Sequence, residues 1–111
     1  MLSATMLKTL FFSLICIAVL LEVFADILFK RWSVENKSLL FAAGLLIYSL
    51  GTVFWAFSLK YEFLSKAVSI FTIMNMILVV LAGVILFKEN LSLLNKIGMG
   101  LGVASIILIE L

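Results

Sequence analysis

Glu22 and Asp26 lie four residues apart inside an otherwise apolar run, and they are the side chains best able to do chemistry. On a helix this spacing projects both carboxyls from one face, with Ala18 and Ala25 beside them. Hydrocarbon disfavours the charged form of a carboxyl, and a second one a turn away makes it harder for both to be ionised. A group held this way can trade a proton for a cation. Acids inside a membrane span face the protein interior or a water-filled cavity and mark ion, proton or substrate pathways. The competing account is structural: hydrogen bonding, or pairing with Lys30 near the helix end, which suits Asp26 better than Glu22.

Depth separates the two acids, since at ~1.5 Å per residue Glu22 lies about 3 Å and Asp26 about 9 Å from the midpoint of the run. An acid at a helix centre costs about 2.5–3.5 kcal/mol on insertion scales, while each Leu, Ile, Phe or Val returns about 0.3–0.6. Fourteen such residues from Leu10 to Phe29 return on the order of 6 kcal/mol, so insertion is nearly balanced.

Further along, Tyr48, Thr52, Trp55 and Ser58, then Ser69, Thr72 and Asn75, place polar atoms inside two more apolar runs. These can line a cavity. Ser69, Thr72 and Asn75 recur every three residues, near one helical face, and an amide at mid-membrane needs a partner or water. Interhelical hydrogen bonding is the alternative use of such hydroxyls. Trp32, Tyr61 and Phe63, near segment ends, read as interfacial anchors. Cys16 is the only cysteine and there is no histidine, so neither an intramolecular disulfide nor a Cys/His metal site can form. No nucleophile–base pair is visible, which argues against an enzyme, and no cofactor is implied.

The elements that must position these groups follow from composition. Of 111 residues 66% are hydrophobic and 13% charged, and the mean hydropathy is +1.36, outside the range of water-soluble domains. Runs such as 10–25 and 77–87 hold at most one charge each, leaving no polar stripe for a soluble bundle. The net charge of +2, without a basic cluster, argues against nucleic acid as a partner. Four apolar segments at about 9–29, 38–59, 66–87 and 94–110 each approach the ~20 residues that cross a bilayer. The expected fold is an all-α membrane protein with one domain of four transmembrane helices over 1–111. The first segment follows Lys8 as a signal peptide would, but its length, two acids and lack of a small-x-small pattern predict that it is retained.

Loops this short make successive helices antiparallel. With no proline, Gly44, Gly51 and Gly83 are the remaining flexible points. Gly98, Gly102 and Ser105 form a small-residue face on the last helix, which lets another backbone approach and predicts a subunit interface. Lys8, Lys60 and Lys66 fall on one side and Lys30, Arg31, Lys37, Lys88 and Lys96 on the other. That weak bias leans towards cytoplasmic first and third loops but permits insertion both ways round.

The stretch Leu21-Glu22-Val23-Phe24-Ala25-Asp26-Ile27-Leu28-Phe29-Lys30 resembles the first helix of the small multidrug resistance family, in the drug/metabolite transporter superfamily. Its members are four-helix chains of this length that work as antiparallel dimers. The resemblance covers nearly the whole chain and puts Glu22 on the glutamate that binds proton or cation, and Lys30 on the lysine that closes the helix. Tyr48 matches an aromatic pocket residue, Leu86-Phe87-Lys88-Glu89 is similar to the third loop, and Gly98 and Ser105 match the small residues of the dimer contact. In the third helix the family's proline-glycine, Tyr, Trp and Gly-x-Gly places read Leu64-Ser65, Val68, Phe71 and Ile73-Met74-Asn75. There Leu64-Ser65-Lys66-Ala67 and Asn75 look like related subunits that flip an aminosugar on undecaprenyl lipid.

What the resemblance implies is a proton-coupled exporter of small amines or organic cations in a prokaryotic inner membrane. Glu22 and Asp26 would bind proton and substrate, and Ala18, Ala25, Tyr48, Thr52, Trp55, Ser69, Phe71, Thr72 and Asn75 would line the chamber. Its partners would be membrane lipid, protons, a small cation and a second subunit, as a homodimer or a heterodimer. The alternatives are a flippase for a lipid-linked sugar, with Lys66 at a phosphate and Asn75 at a sugar hydroxyl, and a silent partner subunit.

Overall fold

The computed structural model describes residues 3–111. They form four helices, α1 (Ala4–Glu35), α2 (Ser38–Ser58), α3 (Leu64–Leu86) and α4 (Leu93–Glu110), and no strand occurs among the described residues. Each helix is long and apolar enough to cross a membrane, so the chain is an all-α, multi-pass membrane protein.

Local chemistry explains where the helices stop. The Ser3 side chain accepts the Met6 N–H at 3.2 Å, satisfying one of the N–H groups that every helix start leaves free. At the other end of α1, Asn36 turns left-handed at φ 58° and its N–H donates to the Trp32 carbonyl at 2.7 Å, an end for which Asn is well suited. The helix between spans 32 residues, roughly 48 Å at ~1.5 Å each. It therefore runs past the apolar stretch at both ends, because nothing in the flanking sequence breaks it. At the start of α4 the Ser92 hydroxyl accepts the Asn95 N–H at 3.2 Å, while the Asn95 carboxamide accepts the Ser92 N–H at 3.1 Å. Ser92→Ala removes one arm of this reciprocal pair and is expected to destabilise the helix by about 1 kcal/mol. A thermal melt of the detergent-solubilised protein followed by circular dichroism checks this.

Packing follows small residues. α1 is the hub, with α2 and α3 against it, and α4 docks on α3. Gly44 and Gly51 make the α1–α2 approach possible: a Cβ on Gly44 would stand 2.8 Å from the Phe29 ring, and one on Gly51 2.9 Å from Cγ of Glu22. Small residues at such crossings let backbones come close where lipid supplies no hydrophobic drive. On the other side of the hub, Phe11 and Ile15 of α1 pack on Ala67 and Ile70 of α3, and Trp55, Tyr61, Phe71 and Ile109 close around them. Tyr61 thus joins the core, while Phe63 is exposed and Trp32 stacks on Phe41 at 4.8 Å.

That core lies at one end of the helices, where charges also knit the ends together. Lys8 pairs with Glu110 at 3.1 Å, and Lys66 reaches Glu62 at 3.7 Å and Glu110 at 3.9 Å. At the opposite end α1 and α2 stay packed, Phe29 on Gly44 and Trp32 on Phe41, while α3 leaves gaps to its neighbours. Clefts open between α1 and α3 beside Arg31 and Phe87, and between α3 and α4 beside Leu94 and Gly98. The subunit is a slab of 50 × 34 × 18 Å, and no residue of α4 is buried.

Candidate functional site

Glu22 sits near the middle of α1 and is only 6% exposed, with Ala18, Val19, Val23 and Ala25 buried around it. Its stem rests against the bare backbone of Gly51, so α2 covers the carboxyl because position 51 has no side chain. Thr52 stands beside the carboxyl, and in this conformer its hydroxyl donates to the Tyr48 carbonyl at 3.0 Å. Tyr48 lies within electrostatic reach of both Glu22 and Asp26 and stacks on Phe29 at 6.3 Å. Glu22, Tyr48 and Thr52 are thus brought together across the α1–α2 contact.

Asp26, one turn along and half-buried, faces the other neighbour. It lines a cavity of about 140 Å³ with Val23, Ile27 and Lys30 of α1, Val79, Ala82 and Gly83 of α3, and Phe87 and Glu89 beyond it. Neither Glu22 nor Asp26 forms an ion pair among the described residues, whereas Glu35, Glu62 and Glu110 each pair with a lysine or arginine. Lys30 is no exception: it faces the Asp26 cavity without closing a bridge to it.

The remaining residues expected at a chamber are spread around the bundle. Ala18 and Ala25 are fully buried in helix contacts, the Ala18 carbonyl lying 3.3 Å from where a Gly51 Cβ would be. Trp55 stacks on Phe71 at 4.7 Å, tying α2 to α3 beside the core. Ser69, Thr72 and Asn75 fan out over roughly 120° of α3, because a step of three falls ~60° short of a turn. Ser69 lies one turn from Ile73, which faces Gly102 of α4, and its hydroxyl donates to the Ser65 carbonyl at 2.8 Å. Thr72 is exposed. The Asn75 carbonyl oxygen is buried without a hydrogen-bond partner, leaving it an acceptor for a donor from elsewhere.

On α4 the small residues divide. Gly102 meets Met76 and Ile73 within the subunit, while nothing lies within 4 Å of a Cβ built on Gly98, and the Ser105 hydroxyl donates to the Leu101 carbonyl at 2.9 Å. Two features were missed by reading residues along the chain. Gly51, read as a flexible point, serves close approach, and Glu89, read as a loop charge, reaches back over Gly83; in both cases the partner lies on another element or across a turn.

Fold and site together define a small four-helix membrane protein with two unpaired carboxyls set inside its first span. A family model, Small Multidrug Resistance protein, matches residues 10–102, and the chain belongs to that family. It is accordingly a transporter of the small multidrug resistance type. The match runs through the third helix, so it does not favour the lipid-flippase alternative. Neither a search of curated proteins nor one of solved structures returns a match.

Proposed function

We propose that the protein exports small amines or other organic cations across a prokaryotic inner membrane in exchange for protons, with Glu22 as the shared binding group. The observation that carries this reading is a carboxyl 6% exposed at mid-span, held by apolar packing and left without a cation. Such a group is stable when protonated or when a substrate cation pairs with it, and binding one displaces the other. Thr52 stands beside it, and Asp26 adds a second acid one turn away.

Two subunits, identical or closely related, complete the chamber. Supporting this is the last helix: no residue of α4 is buried within the subunit, and Gly98 on it has open space beside its backbone, where a second copy can pack. Ion pairs knit the helices at one end, and at the other α3 stands off from α1 and α4, so two antiparallel copies would expose the chamber to either side by rocking.

The test is proton release on adding amines to detergent-solubilised protein in weak buffer. A saturable release that rises with amine concentration supports exchange at a carboxyl. Amine binding without proton release would refute it.

A further inference from the structure

The cleft beside Arg31 has no part in exchange at Glu22. It measures about 340 Å³ and is lined by Ile27, Arg31, Val34 and Glu35 of α1 with Leu86 and Phe87 at the end of α3. It arises because the two helices end at different depths. α1 and α3 run parallel, with Phe11 and Ile15 packed on Ala67 and Ile70, so at equal rise per residue Leu86 comes level with about Arg31. α3 stops there, whereas α1 continues a further turn to Glu35. On its other side the same stretch of α1 is covered, Trp32 stacking on the Phe41 ring of α2 at 4.8 Å.

The lining combines two chemistries. Ile27, Val34, Leu86 and Phe87 are apolar. The charged part is a triad in which Glu35 accepts from Arg31 Nε at 3.1 Å and meets Lys37 Nζ at 3.6 Å, one carboxylate shared by two cations, so one positive charge is left over. Arg31 uses only Nε in that bond among the described residues, and its two terminal amino groups keep the planar fork that fits a phosphate. The surroundings have the same sign. Lys30 and Lys88, the latter left-handed at φ 55° directly after Phe87, form no ion pair among the described residues. With Arg31 and Lys37 they outnumber the nearby acids Asp26, Glu35 and Glu89. Asp26 and Glu89 line the smaller cavity further in, which meets this cleft at Ile27 and Phe87.

A soluble anion has no use for four apolar walls. Arg31 stands just beyond the apolar run that ends at Phe29, at the level of lipid headgroups, and basic pockets between spans at that level bind acidic headgroups. We propose that this cleft binds an anionic phospholipid, with its phosphate on the Arg31 guanidinium and an acyl chain along Ile27, Val34, Leu86 and Phe87. The lipid fills the gap that α3 leaves to α1, and its occupancy is independent of what Glu22 carries.

Native mass spectrometry of the full-length protein in detergent, with phosphatidylglycerol and phosphatidylcholine of the same chains added in turn, tests the site. Phosphatidylglycerol should be retained about fivefold better, the effect of one basic residue on an acidic headgroup. Arg31→Gln should abolish that preference and Arg31→Lys should keep part of it. Leu86→Trp, which crowds the apolar wall and keeps every charge, should weaken retention of both lipids. Lys60→Gln, at the opposite end of the helices, is the control and should change nothing. Equal retention of the two lipids by the unmodified protein, a preference that survives Arg31→Gln or falls as far with Lys60→Gln, or retention unchanged by Leu86→Trp overturns the site. Displacement of phosphatidylglycerol by millimolar inorganic phosphate also overturns it, since the cleft would then hold a free anion and not a lipid.

Discussion

Glu22→Gln is expected to abolish amine-induced proton release and proton-driven uptake while leaving the four helices folded and inserted. The amide keeps the shape of the side chain against Gly51 but can neither release a proton nor present a negative charge. Losing a charge-assisted hydrogen bond weakens amine binding by about 1.5–3 kcal/mol, about 10- to 100-fold in affinity. Coupling is lost with it, since Asp26, the acid that remains in the span, opens on the α3 side and not on the α1–α2 contact where Tyr48 and Thr52 stand. Insertion does not suffer, because an acid near a helix centre is the costly residue there. Side-by-side liposome uptake with an imposed pH gradient and a melt in detergent read both halves. Undiminished coupled uptake by the variant would remove Glu22 from the mechanism.

Gly51→Val should have the next largest effect, through geometry and not charge. A Cβ at this position would lie 2.9 Å from Glu22 Cγ, 3.2 Å from Leu21 Cβ and 3.3 Å from the Ala18 carbonyl oxygen. The last of these is backbone and cannot swing aside, and valine adds two methyl groups. α2 must therefore move off α1, at a cost of about 1–3 kcal/mol for overpacking a close contact. The same displacement uncovers the Glu22 carboxyl and takes Tyr48 and Thr52 away from it, so amine binding should fall with stability. Gly51→Ala should show a milder form of both. Denaturant unfolding in detergent, with amine titration on the same samples, reports the two together. A valine variant with unchanged unfolding and unchanged binding would mean that the α1–α2 crossing is not where this structure puts it.

The parts of the site that could be read from the chain are those whose meaning is local. An acid within a long apolar run is costly wherever the run ends up, so Glu22 and Asp26 stood out before any helix was packed. Spacing alone was less informative for Ser69, Thr72 and Asn75: a repeat of three drifts around the helix, and which side faces α1 or α4 depends on Ile70 and Ile73 finding their partners. Gly102 and Gly98 read alike in sequence, yet one is filled by Met76 and the other is open. Glu89 carried no signal, since a charge after a span normally faces water, and only the reversal at Lys88 aims it at Gly83.

Sequence by itself determined the solvent, the four membrane-crossing helices and the acids buried in the first of them, because hydropathy and charge are properties of each segment taken singly. Tertiary structure alone decided that α1 is the hub, that Glu22 is covered by α2 while Asp26 opens towards α3, and that ion pairs tie the helices at one end. The reason is that lipid solvates every apolar face equally well. Which faces meet is settled by where small residues on one helix come opposite bulky ones on another, a match between distant positions that no single segment encodes.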